Sequence, residues 1–193
     1  MKQPLLTLLA AAALLAGCGS PVREADAPAT VDHVDLARYT GTWHEIARIP
    51  NRFQAQCVAD TTATYSLRED GRIDVLNRCQ VEGGEYDEAQ GIARIVDTDT
   101  NARLQVSFVS FLGRQWFWGD YWIIGLAEDY SWVVIGHPER TYGWVLARDR
   151  DLGGEAMGRI EQILATNGYE IERFVPDLKS EKEVKLYESQ GFR

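Results

Sequence analysis

The sequence predicts an all-β domain: about eight antiparallel strands, closed into a barrel or stacked as a sandwich, with one C-terminal α-helix. Three observations carry this. From residue 35 onward, short β-branched and aromatic runs follow one another closely. An Asp-Gly turn joins two of them, and one segment alone has clear helical periodicity.

The first strand is read at 42–49. The second, 61–67, is Thr-Thr-Ala-Thr-Tyr-Ser-Leu and runs through Arg68, Glu69, Asp70 and Gly71 into a third at 73–77, a hairpin by its turn chemistry. Further strands are read at 91–97, 104–109, 121–127, 131–136 and 142–148. The helix is 154–167, where Met157, Ile160, Ile163 and Leu164 form one apolar stripe and Gly168 supplies the C-terminal cap. No internal repeat is present.

The N-terminus reads as an export signal over residues 1–17. Lys2 gives it a basic start, and the apolar run 5–15, broken by Thr7, is too short to cross a bilayer core of about 30 Å as a helix. Leu15-Ala16-Gly17-Cys18 resembles the bacterial lipobox. That resemblance implies a lipoprotein: a diacylglyceryl group on the Cys18 sulfur, cleavage before it, and a further chain such as palmitate on the new amine. Gly19, being no aspartate, implies sorting to the outer membrane, with the domain facing the periplasm. One chain at about 0.8 kcal/mol per buried CH₂ anchors only marginally, so several on one residue make the anchor last. Residues 18–33 are then a tether, flexible over 20–30 where no apolar periodicity exists. The domain is 34–176, and 177–193 is a C-terminal tail.

Removing the leader takes away one lysine and no acid, so the formal charge moves from −9 to −10. An acidic product argues against nucleic acid and against electrostatic docking on anionic lipid. Cys57 and Cys79 are an even pair in an exported chain, which favours a disulfide at the open end of the Asp70-Gly71 hairpin.

Three separated motifs then select among the all-β options. Gly41-Thr42-Trp43 resembles the first lipocalin signature. Glu128-Asp129-Tyr130 resembles the second, with glutamate where threonine is usual, and the run from Trp144 to Arg148 resembles the third. Over roughly residues 34–175 the chain is similar to bacterial lipocalins of the apolipoprotein D-like kind. The resemblance implies an eight-stranded up-and-down barrel whose closed end is plugged by Trp43 with Arg148 stacked on its indole, a cation–π cap worth about 1 kcal/mol or more. On this reading Gly41, Trp43, Asp129, Tyr130 and Arg148 build the base and do not touch ligand.

Period-two alternation from Trp43 places Glu45 and Ala47 inside as well. Ala63, Tyr65 and Leu67 face inward from the second strand, opposite Ile73, Val75 and Asn77. Ala93 and Ile95, then Leu104, Val106 and Phe108, then Tyr121 and Ile123 follow, and Val133, Ile135, Tyr142 and Trp144 complete the lining. Eight strands leave room for one small ligand. An apolar, aromatic lining with a few hydroxyls suits a fatty acid or a lysophospholipid, bound for storage or transport in envelope maintenance. Glu45 is costly there unless paired or protonated. Tyr65, Asn77 or Tyr142 could hydrogen-bond it, or it could sense a headgroup.

No residue nominates itself for catalysis. His33, His44 and His137 lack ligand spacing, and there is no Ser-His-Asp order, phosphate loop or Cys-X-X-Cys, so neither enzyme, cofactor nor metal is expected. The rival readings are a scaffold lipoprotein with a filled barrel that binds a protein partner through its rim, and a lipid-modifying enzyme on a lipocalin scaffold. The connection 110–119 carries Phe111, Leu112, Trp116, Phe117 and Trp118, unusual for a surface loop. With the 50–56 connection beside it, this loop reads as an apolar lip at the mouth. Either Phe111, Trp116 and Trp118 accept an acyl tail from the bilayer, or they pair two copies as a homodimer, or they pack on the rim.

Overall fold

The computed structural model describes residues 26–111, 114–180 and 182–184. Cys18, the leader and Leu112 lie outside them. Eight strands close an antiparallel barrel: β1 (Gly41–Arg48), β2 (Ala59–Leu67), β3 (Ile73–Gln80), β4 (Tyr86–Ile95), β5 (Arg103–Ser107), β8 (Gly119–Leu126), β9 (Trp132–Gly136) and β10 (Gly143–Ala147). Each pairs with its neighbour in order, and β10 pairs with β1 to complete the ring. This is the up-and-down barrel expected, and closure leaves no exposed edge. A separate hairpin, β6 (Val109–Phe111) with β7 (Arg114–Trp116), rises between β5 and β8. The connection read as a loop is therefore itself folded.

The barrel has two apolar cores. Inside lie Trp43, Tyr65, Val75, Leu104, Ile123, Val133, Ile135 and Leu146 among others. Outside, α2 (Gly154–Thr166) lays Ile160 and Leu164 over Ile124, Val134, Val145 and Ala147. The helix ends as its sequence indicates, with Gly168 at φ 74° just past it.

Three elements escaped the sequence reading. α1 (Leu36–Tyr39) crosses the closed end, its amides capped by Asp35. β4 begins at Tyr86, not 91. β11 (Val175–Pro176) pairs with Ala47 and Arg48 of β1, and Leu178 accepts from the Asp60 amide, so the chain fills the gap where β1 and β2 diverge. The tether is shorter than expected, since the Val31 amide bonds the Ile123 carbonyl and Val34 is fully buried. Cys57 and Cys79 form the expected disulfide, with Cα atoms 5.5 Å apart across a separation of 22 residues. Closing a loop of that size stabilises by about 3 kcal/mol in the chain-entropy picture.

Candidate functional site

The closed end is built by the three motifs together. The Trp43 indole donates to the Tyr39 carbonyl at 2.9 Å, and the Arg148 guanidinium lies 3.8 Å from its ring centre. Arg148 also donates to the carbonyls of Thr42, Arg38, Tyr39 and Thr40, so one side chain pins α1 to β1. Gly41 sits at φ +93°, and a Cβ there would come 3.3 Å from that guanidinium, which explains why glycine opens the strand. Asp129 accepts from the Ser131 amide and hydroxyl, shaping the turn that puts Tyr130 at φ 63°. The Tyr130 hydroxyl accepts from the Asp35 amide, and Arg38 covers its ring at 4.0 Å.

Above this base, Ala63, Tyr65, Val75, Tyr121, Ile123, Val133 and Ile135 face the lumen as expected, with Ile95, Val106 and Trp144 packed against them. Leu67 does not. It is 49% exposed, lying beyond the base where β2 has left the barrel interior. The inward residues of β8 and β9 are buried, whereas β4 is exposed over its first five residues. Asn77, Ala89 and Gly91 share the inner face with Val75 and Ala93, and Ala89 is exposed. A side chain on Gly91 would strike the Phe108 ring at 2.7 Å, so Phe108 folds over that inner wall while staying exposed toward the mouth. Deeper in, Tyr39, Tyr65 and Tyr121 meet. The Tyr121 hydroxyl is 2.7 Å from that of Tyr39 and 3.0 Å from that of Tyr65.

Ala47 is misplaced by simple alternation. The β1–β10 register shifts between Glu45 and Ala47, so Ile46 and Ala47 both face the helix side and the phase flips. Arg48 thereby turns inward, beside Trp144 in register. It meets Glu45, 2% exposed, at 2.6 Å. Glu45 also accepts from Gln54 at 2.9 Å, and Gln54 accepts from the Trp144 indole at 2.8 Å. The Glu45 partners are thus Arg48 and Gln54, not Tyr65, Asn77 or Tyr142. Tyr142 lies higher, stacked on Trp144 and near Phe53. Arg48 continues to Asp177, which also takes Arg150 at 3.1 Å and the amide and hydroxyl of Thr61, while Arg150 reaches Asp60 at 2.7 Å. A file of three carboxylates and two guanidinium groups therefore passes through the barrel wall, and Asp177 belongs to that wall rather than to a free tail.

Burial pushes the Glu45 carboxyl above its ordinary 4.5, against the pull of Arg48. The native state then holds this proton more tightly than the unfolded chain. Stability from Glu45 is greatest below 4.5 and falls as pH rises through the raised value. His44 and His137, both lowered from 6.5 by burial, act in the opposite sense, their contribution being lost as pH falls below 6.5. The test is the difference between wild type and Glu45→Gln in urea unfolding from pH 4 to 8. The wild-type curve should lose stability relative to the variant on leaving pH 4.5 upward, and parallel curves would show that Glu45 ionises as a solvated acid does.

At the mouth, Trp116 is 47% and Phe117 83% exposed, joined by Val109 and, from the β1–β2 connection, Phe53 at 58%. Phe111 is placed by its backbone pairing with Arg114. Trp118 is no part of the lip, being half-buried beneath the Arg94 guanidinium at 4.1 Å. Phe53 takes its place, carried on a short 3-10 turn (Arg52–Gln54) capped by Asn51. No cluster of three or more His, Cys, Asp or Glu side chains placed to hold a metal occurs among the described residues. The three histidines are not brought together.

A lipocalin-like domain model matches residues 34–178. The outer membrane lipoprotein Blc of Escherichia coli is 32% identical over 173 residues, covering 89% of this chain and 94% of that protein. Apolipoprotein D of Macaca fascicularis is 34% identical over 180 residues, covering 88% and 92%. Among solved structures, insecticyanin from the tobacco hornworm superposes with a TM-score of 0.64 at 21% identity, covering 79% of this chain and 85% of that one.

Proposed function

The chain belongs to the lipocalin-like family, and from that premise we propose that its lumen takes up an amphipathic lipid, a fatty acid or lysophospholipid, from the outer membrane that anchors it. The observation that carries this reading is the incomplete burial of the inward residues Asn77, Ala89 and Gly91 of β3 and β4 beneath an exposed aromatic lip.

The anchor supports the same reading. The Ala29 amide bonds Asn167 at the end of α2, and Asn167 in turn accepts from Arg140 in the β9–β10 turn. That turn lies at the mouth, so the tether leaves the domain at its open end. The eight residue-to-residue steps from Cys18 to Asp26 span at most about 28 Å when extended. An acylated Cys18 would then hold Phe53, Trp116 and Phe117 toward the bilayer, where aromatic rings sit well. With a net charge of −10 after processing, apolar contact rather than charge would do the docking.

The test is transfer of a fluorescent lysophospholipid from vesicles to delipidated protein. Phe53→Ser, Trp116→Ser and Phe117→Ser combined should slow uptake at least tenfold, since burying only about 60 Å² of ring is worth about 1.5 kcal/mol. Thermal unfolding should barely change. Unchanged uptake with halved mass in solution would make the lip a dimer face, and no lipid bound by wild type would leave a scaffold with a filled barrel.

A further inference from the structure

The three tyrosines at the bottom of the lumen have a hydrogen-bond count that does not close. Tyr39, Tyr65 and Tyr121 are each more than nine-tenths buried. Their hydroxyls make two contacts, both through Tyr121. Each hydroxyl carries one proton, and two contacts use two protons whichever way they point. No other side-chain acceptor touches these oxygens among the described residues. One O–H is therefore left over at the bottom of an apolar chamber. Burial holds all three protonated, the Tyr65 group being pushed up to about 12.

We propose that this cluster is a donor site for a neutral oxygen at the inner end of the bound molecule, so that among amphipathic lipids the lumen favours those whose chain carries a keto or other carbonyl-type oxygen toward its inner end. The inference rests on the reading of the lumen as a ligand chamber and adds what the chamber selects. A buried donor without an acceptor is costly, and an acceptor at that point removes the cost. A carboxylate does not fit. It would surrender its hydration to a single hydroxyl, and Glu45 lies close enough for its charge to act on Tyr65. An ionised headgroup thus stays at the mouth while the tip descends. Above Tyr65 the inner wall of β2–β4 carries the small or polar side chains Ala63, Asn77 and Ala89, with the Phe108 ring lying over Gly91. The Asn77 amide, facing inward one pleat nearer the mouth, makes no side-chain hydrogen bond among the described residues and offers a second polar contact on the same path.

The probes are 2-nonanone and nonane, alike in length and differing in one oxygen. Their headspace partition is measured over wild type and over the variant combining Tyr39→Phe, Tyr65→Phe and Tyr121→Phe. That variant keeps every ring and removes donors and acceptors together, a change near neutral for stability. The ketone-to-alkane affinity ratio should fall about five- to tenfold in the variant, with nonane binding retained. As a reading that needs no variant, the carbonyl stretch of labelled 2-nonanone bound to wild type should lie below its value in liquid alkane. An unchanged ratio, or a carbonyl stretch at the alkane value, overturns the donor site and leaves the lipid reading standing. If neither probe binds wild type, the donor site falls, and the lipid reading is decided separately by the lysophospholipid transfer.

Discussion

Asp177→Ala should cost about 3–5 kcal/mol of stability, more than any other single carboxylate replacement in the chain. The side chain is buried to within 1% and serves four donors: Arg48, Arg150, and the amide and hydroxyl of Thr61. Removing it leaves a buried amide without an acceptor and brings two guanidinium groups together with half their compensation gone. The loss is moderated because Arg48 keeps Glu45 and Arg150 keeps Asp60. Asp177→Asn, which can still accept from Thr61 but carries no charge, should fall between the two. Asp151, paired with Lys179 at 2.9 Å in full solvent, serves as the contrast, and Asp151→Ala should leave the urea midpoint unmoved because water replaces the partner. The wall assignment fails if Asp177→Ala unfolds within 1 kcal/mol of wild type, or if both replacements behave alike.

That the largest single electrostatic effect sits at a position read as the start of a tail shows where sequence patterns stop. Gly41, Trp43, Tyr130 and Arg148 were readable because each does one local job, such as a positive φ, a plug, a turn or a cap, and the residue type follows from the job. Glu45 was recognisable as the odd inward residue, but its partner was not. Arg48 comes inside only because Ile46 and Ala47 both face α2, and a bulge leaves no trace in a period-two pattern except an alternation that fails. The same failure hid the start of β4. Residues 86–90 are Tyr-Asp-Glu-Ala-Gln, without an apolar face, because this end of the strand is exposed on both sides. A strand end that buries neither face therefore looks like a loop in sequence. Tyr39 was missed for another reason. It reaches the lumen from α1, and strand alternation says nothing about a side chain that enters from the end of the barrel. Trp118 and Phe53 exchanged roles at the mouth because exposure depends on how closely a ring is covered, Arg94 lying 4.1 Å from the Trp118 ring and Arg52 5.1 Å from that of Phe53, which stays 58% exposed.

Trp43→Ala is the second large effect, expected at about 3–5 kcal/mol, the usual range for emptying a buried aromatic site. The ring is fully buried between Tyr39, at 5.2 Å between centres, and the Arg148 guanidinium. Its loss removes the indole donor to the Tyr39 carbonyl and opens a void at the closed end of the barrel. Because Tyr39 also holds the Tyr121 hydroxyl, the damage should spread upward, and the tyrosine cluster should lose order before the outer core beneath α2 does. Trp43→Phe separates the components by keeping most of the volume while dropping the indole N–H and weakening the face that Arg148 covers. Trp43→Leu combined with Arg148→Met in a double-mutant cycle removes the aromatic face and isolates the stacking interaction, for which a coupling of about 1 kcal/mol is expected from a partly desolvated cation over an indole. Urea unfolding supplies the four free energies. Amide hydrogen exchange on Tyr39, Tyr65 and Tyr121 in Trp43→Ala reports whether the floor loosens first. A coupling near zero would mean that Arg148 holds the base through its bonds to the carbonyls of Arg38, Tyr39, Thr40 and Thr42 alone, with the indole beneath it serving only as filling.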